Sequence, residues 1–248
     1  MTRRVLQLLV GLVLYGVGDG LMIIAGLGVD PWTVFAQGLS RHTGIGVGWI
    51  TNIVGVLVLL LWIPLRQKPG LGTLLNVLLV GTAIQATVTV IPPVHGLLAQ
   101  VLVLLAGVVV VALASGLYIG AHFGPGPRDG LMTGMNARLG WPIWVSRLSV
   151  EVSVLAIGWL LGGTVGVGTV VFALGIGPLV HIALPLLDTA RGRHGDQKTP
   201  EPVAPVDSGQ TRAGASAPRG ILLRGGVATY DDARAVRDLR AAHDRSEW

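Results

Sequence analysis

Cysteine is absent from all 248 residues, which excludes a disulfide framework, thiolate metal ligands and a cysteine nucleophile, and leaves the redox compartment unread. Charge is nearly absent from most of the chain. Residues 1–187 hold eight Lys/Arg and four Asp/Glu, against ten and nine in the last 61. Water-soluble domains carry about 25% charged residues, so the solvent of the first region is lipid and that of the second is water. Aromatic residues make up only 5%, and no basic stripe interleaved with aromatics, zinc-finger spacing or recognition helix goes with the net charge of +5. Nucleic acid is therefore not an expected partner. Also missing are a Gly-x-Ser-x-Gly elbow, a His-Glu-x-x-His pair, metal-ligand spacing among the six histidines, and a Lys after the Gly-rich pairs that a phosphate loop needs. The expectation is no enzyme, no metal and no cofactor.

What the chain does have is long apolar runs. Six stand out, at 5–27, 47–65, 71–91, 97–121, 143–161 and 165–187. Each approaches the roughly 20 residues a helix needs to cross about 30 Å of hydrocarbon. Val-rich stretches such as Val108 to Val111 sit inside runs far longer than a buried strand, without period-2 alternation, so helices are expected rather than strands. Arg3 and Arg4 ahead of the first run also fit a signal peptide; the internal repeat described next favours a retained helix.

Shifted by 96 residues, the chain matches itself. Residues 8–81 align with 104–177 without a gap, with 22 identities in 74 positions, eight of them Gly on Gly. The sequence is a duplication of a three-span unit, and an odd number of spans turns the second copy upside down. Inverted repeats of this kind recur in membrane transport proteins. The expected fold is an all-α membrane protein of six transmembrane helices in two inverted three-helix repeats, about 5–91 and 97–187, forming a domain over 1–187. Basic residues set the orientation. With the N-terminus in the cytoplasm, Arg3, Arg4, Arg66, Lys68, Arg128, Arg138, Arg191 and Arg193 fall inside and only Arg41 outside. Both ends are therefore expected in the cytoplasm of a bacterium, with the bilayer its plasma membrane.

Beyond residue 187, Pro200, Pro202, Pro205, Gly209, Ser216 and Pro218 lie among charges without apolar period. Such a segment cannot bury enough surface to offset its ordering entropy, and a disordered cytoplasmic tail over 188–248 is expected. A short helix over 230–243 is the one exception, with Thr229 as cap, Asp231 and Asp232 in the first turn and an Arg234/Asp238 pair.

The chemistry-bearing candidates sit where each copy breaks after its first helix. Copy one reads Gly26-Leu27-Gly28-Val29-Asp30-Pro31-Trp32 and copy two Gly124-Pro125-Gly126-Pro127-Arg128-Asp129-Gly130. Glycine takes φ values other residues avoid and proline cannot continue a helix, so both segments leave helical geometry. At membrane depth such backbone is tolerated only where protein or a water-filled cavity covers it. The stretches that follow are too short to span. Two readings stand: short re-entrant helices whose N-termini draw an anion, or interfacial turns with Trp32 and Trp141 as anchors. Arg147 and Glu151 are four apart on one face of the fifth span. They either face a cavity as a pair or mark an arginine that snorkels to the surface beside its neutralising partner. Asp19, between Gly18 and Gly20 in the first span, is either a proton or cation coupling group or a silent protonated carboxyl. Asn52, Asn76, Gln85 and His181 read as interhelical glue, and the pairs at Gly70/Gly72 and Gly166/Gly168 as points of close helix approach.

On these break segments, the run Leu131-Met132-Thr133-Gly134, the Arg147 to Glu151 pair and Gly158-Trp159-Leu160-Leu161-Gly162-Gly163 with Gly166-Val167-Gly168-Thr169, the chain resembles the bacterial YczE-like membrane proteins, relatives of the YitT group. The resemblance covers roughly residues 3–187 and implies a multi-pass plasma-membrane protein. Asp19 and the charged tail depart from the shared pattern. Two functions are expected. One is movement of a small solute through a site framed by Asp30, Pro31, Trp32, Gly124, Gly126, Pro127, Arg128 and Asp129, with Arg147 and Glu151 on its cytoplasmic side and Asp19 as coupling group. The other is a membrane scaffold that recruits cytoplasmic enzymes or membrane subunits. Lipid, a small solute and further copies in a homo-oligomer are the expected partners.

Overall fold

The computed structural model describes residues 2–188, and the expected tail with its 230–243 helix lies outside them. The described residues form helices and no strands: α1 (Thr2–Ala25), α2 (Pro31–Thr43), α3 (Val47–Leu65), α4 (Leu71–Val90), α5 (Leu97–Gly120), α6 (Pro127–Leu139), α7 (Ile143–Leu160) and α8 (Val167–Leu187). All but α2 and α6 are long and apolar enough to cross a membrane, and these six match the six apolar runs to within three residues at either end. Helix is what such runs must form in lipid, where a backbone group can find a partner only within its own segment.

The two break segments lead into helices rather than turns. α2 and α6 have 13 residues each, and at about 1.5 Å per residue neither reaches across about 30 Å of hydrocarbon. Pro31 and Pro127 stand in the first turn, where a missing N–H costs nothing and φ is already helical. Both helices stop at a left-handed glycine: Gly44 donates its N–H to the Ser40 carbonyl and Gly140 to that of Asn136, satisfying otherwise orphaned acceptors.

The order long, short, long, long occurs twice, with 24, 13, 19 and 20 residues and then 24, 13, 18 and 21. The breaks share a backbone as well, since Gly28 and Gly124 both stand at φ +111°, open to glycine at little cost. Contacts between the copies come in exchanged pairs. Gly72 N–H donates to Phe123 O at 2.9 Å and Gly168 N–H to Leu27 O at 2.8 Å, so each copy's last helix begins by holding the other copy's break. The Gly-rich pairs thus do more than let helices approach: they bring a backbone donor to an otherwise unsatisfied carbonyl.

α1 and α5 cross at the centre of the bundle. A Cβ on Gly18 would lie 2.9 Å from the Gly107 carbonyl oxygen, and one on Gly107 the same distance from that of Gly18, an approach that only small residues permit. The two helices run antiparallel. Arg4 Nη2 donates to Ala121 O at 2.8 Å and Gln7 Nε2 to Leu187 O at 2.7 Å at one end, while Val94 N–H donates to Ile24 O at 3.1 Å at the other. Around this axis the core divides into three clusters, with Met22, Val108 and Phe172 between α1, α5 and α8, Leu12 and Ile84 between α1 and α4, and Val58, Trp62 and Leu131 between α3 and α6.

Candidate functional site

The N-termini of α2 and α6 meet inside the bundle. Near its C-terminal end α2 touches the segment after α7, where Thr164 N–H donates to Gln37 Oε1 at 2.9 Å. Near its own, α6 lies against the opposite end of the bundle, where Gly134 packs on Leu65 and Gln67. Each short helix therefore runs outward from the middle to a different face. Trp62 pins the second of them by donating its indole N–H to Pro127 O at 3.1 Å.

Asp30 is the N-cap of α2. Its Oδ1 accepts from Trp32 N at 3.1 Å and Thr33 N at 3.3 Å, satisfying orphan donors of the first turn and placing negative charge at the positive end of the helix dipole. The same oxygen accepts from Arg128 Nη1 at 3.3 Å, which links the two half-helices. Arg128 also lies 5.1 Å over the Trp32 ring, within reach of a cation–π attraction. Copy two departs here: Gly126 stands where Asp30 stands in copy one, and α6 has no side-chain cap. In its first turn Asp129 accepts from Tyr118 Oη at 2.9 Å, and Tyr118 stacks edge-on against Tyr15 at 6.1 Å.

These groups border a cavity of about 590 Å³, within the range of small-molecule sites. It gathers Asp30, Pro31, Trp32, Gly126, Pro127, Arg128, Asp129, Arg147 and Glu151 of the expected site. Arg147 Nε donates to Glu151 Oε1 at 3.0 Å, so the pair forms and lines the cavity, while the arginine side chain stays 57% exposed. Two expected residues lie off the cavity wall. Gly124 is taken up by the break itself, packed on Gly70 and Thr73. Asp19 sits 1% exposed in the packed middle of α1, and neither of its oxygens has a hydrogen-bond partner.

Sequence reasoning missed Tyr15, Tyr118 and Phe172 on the wall, because aromatics inside apolar runs look like core. Their one signal was a polar tip within a span, which needs a partner. The expected glue residues divide. Asn52 and Gln85 do bridge helices, to Thr82 at 3.2 Å and to Gly48 N at 3.2 Å, whereas Asn76 and His181 line the cavity. Among the described residues no group of three or more His, Asp or Glu could hold a metal ion.

Residues 2–185 match the model of a family of unknown function, DUF6198. A Haemophilus influenzae protein named only as uncharacterized is 41% identical over 180 residues, 73% of this chain and 83% of its own length. The Bacillus subtilis uncharacterized membrane protein YczE is 32% identical over 177 residues, 71% and 82% of the two chains. YyaS of the same organism is 27% identical over 183 residues, 72% and 91%. No solved structure matches the chain. The apolar helices and this kinship make the chain a membrane protein.

Proposed function

The chain belongs to the DUF6198 family, and we propose that it carries a small solute across the bacterial plasma membrane through the cavity between α2 and α6. The observation that carries this reading is the head-to-head meeting of two half-helices over a polar cavity in an otherwise apolar bundle, with Asp30 and Arg128 at the junction. Broken helices that point their termini at a central site suit a carrier, whose solute needs backbone and charged groups at membrane depth. The expected inversion of the two repeats, with both ends in the cytoplasm, belongs to this proposal, as does the absence of catalysis. Asp19 is the coupling group in this reading. A buried carboxyl without a partner is costly to ionise, so it holds a proton until conformational change brings it water or a cation.

Proteoliposomes give the test. Solutes are screened by solid-supported-membrane currents and by uptake of labelled metabolites, first with the native chain and then with Glu151→Gln and Asp19→Asn. A transported solute is expected, with uptake lost in Glu151→Gln and dependence on a pH gradient lost in Asp19→Asn, while both variants still insert. A folded, reconstituted protein that moves no solute, or one whose function survives Glu151→Gln, overturns the reading. A reporter fused after Leu187 is expected in the cytoplasm.

A further inference from the structure

The wall of the cavity has one break among the described helices. Followed round the bundle, α8 packs on α5, α5 on α1, α1 on α4, α4 on α3, α3 on α2 and α6, and these two on α7, but α7 and α8 barely touch. The matching seam in copy one is shut. There Gly81 presses on Gly48 and Asn52, Asn52 bonds Thr82 and Gln85 bonds the Gly48 N–H. Ninety-six residues on, Gly48 is replaced by Trp144, Asn52 by Leu148 and Gln85 by His181. Gly177, the counterpart of Gly81, faces open space, with nothing within 4 Å of where a Cβ would stand. Bulky residues have replaced the small and hydrogen-bonding ones that zip the first seam.

The gap lies at hydrocarbon depth, for Gly177 is at the midpoint of the 21 residues of α8. Its outward lips are apolar, Leu148 on α7 being 56% exposed and Leu174 on α8 73%. Within it the polarity is graded. Arg147 stands four residues into α7, about 6 Å from the start of that helix, paired with Glu151. Deeper, the wall is Val54, Val58, Phe172, Ile176 and Val180. Charge near one surface and aliphatic wall toward the middle is the polarity profile of a lipid leaflet.

From this we propose that the cavity opens sideways into the bilayer between α7 and α8, and that its ligand is a single-chain amphiphile. The head group exchanges into the Arg147/Glu151 pair and the tail lies along the aliphatic wall. The inference rests on the reading of the cavity as a solute site and names the class of solute. A head group bearing both charges meets a partner for each. The cavity suits one chain rather than a whole two-chain phospholipid.

The absence of native cysteine makes the test direct. Val80→Cys places a thiol on the far wall, on α4, where the native side chain is 4% exposed and the cavity is its approach; Ile176→Cys is the second position should Val80→Cys fold poorly. In nanodiscs, bilayer-soluble N-phenylmaleimide is expected to label either thiol, and a charged, water-soluble maleimide is not. Lysophosphatidylcholine at ten times its Kd is expected to slow labelling about tenfold, and adding Gly177→Phe to close the gap should abolish it. Labelling by the charged reagent as fast as by the soluble one, no labelling at either position, or no protection by the lysolipid overturns the proposal. So does a Gly177→Cys chain that crosslinks to a second copy, since the gap would then be an interface. Because labelling reads access without transport, protection in a chain that moves no solute would sink the carrier reading and leave the sideways mouth standing.

Discussion

The two halves of the described chain build nearly the same backbone and then diverge at one seam. Helix lengths, the left-handed glycines at both breaks and the exchanged bonds from Gly72 and Gly168 recur from copy to copy. The pairing of the two long helices after each short one does not. α3 and α4 are zipped by small and amide-bearing residues, while α7 and α8 stand apart around Arg147, Glu151 and His181. The difference teaches that glycine and proline set where the chain turns, and that a handful of side chains then decide which side of the bundle is shut.

The largest effect is expected where the copies differ in charge. Asp30→Ala strips the cap from α2 and leaves Arg128 without its carboxylate partner; breaking a buried pair by removing one member costs about 3 kcal/mol or more, with the lost cap adding about 1. The matched change, Gly126→Ala, adds a Cβ that would meet Asp129 Oδ2 at 3.3 Å and little else, and is expected to cost under about 0.5 kcal/mol. Thermal unfolding of both variants in detergent checks the contrast. Equal losses would mean that Asp30 does not hold the junction.

A second pair compares the seams directly. In Gly81→Leu the new side chain falls on the Gly48 carbonyl and Asn52, and since backbone cannot step aside cheaply, the overpacking is expected to cost about 1–3 kcal/mol. Gly177→Leu enters open space and should change stability by no more than about 0.5 kcal/mol, while narrowing the gap. Comparable destabilisation by the two would show that α7 and α8 close as tightly as α3 and α4.

Much of this organisation was legible beforehand, and the reasons are physical. Apolar runs in lipid have only helix available, so the spans could be read off to within a few residues, and Pro31 and Pro127 marked the short helices because proline fixes φ at a helix start. The ion pair of Arg147 with Glu151 followed from helical spacing alone. The meeting of Asp30 with Arg128 did not, for 98 residues separate them and only the packing of the two copies brings them together. Tyr15 and Tyr118 were hidden in the same way, inside runs where a wall residue and a core residue have the same composition. Asn76 and His181 looked like Asn52 and Gln85, and nothing local distinguishes an amide or imidazole that bridges helices from one that faces a cavity.

The smallest effect expected is at Asn52, and it bears most directly on what holds the first seam. Its amide donates to Thr82 Oγ1 at 3.2 Å and reaches Leu78 O at 3.4 Å, while its Oδ1 is buried without a partner. Interhelical hydrogen bonds in membranes average only about 0.6 kcal/mol, and removing an unsatisfied oxygen offsets part of that. Asn52→Leu, which installs the residue copy two has at Leu148, is therefore expected to lower stability by about 0.5 kcal/mol and to leave the seam shut, because Gly48 and Gly81 still allow the backbones to meet. Crosslinking between Gly46→Cys and Gln85→Cys, adjacent across that seam, reads closure in both backgrounds. Should Asn52→Leu abolish the crosslink, the polar bridge rather than the small residues would be what keeps α3 against α4, and the open α7 and α8 seam would follow from Leu148 alone.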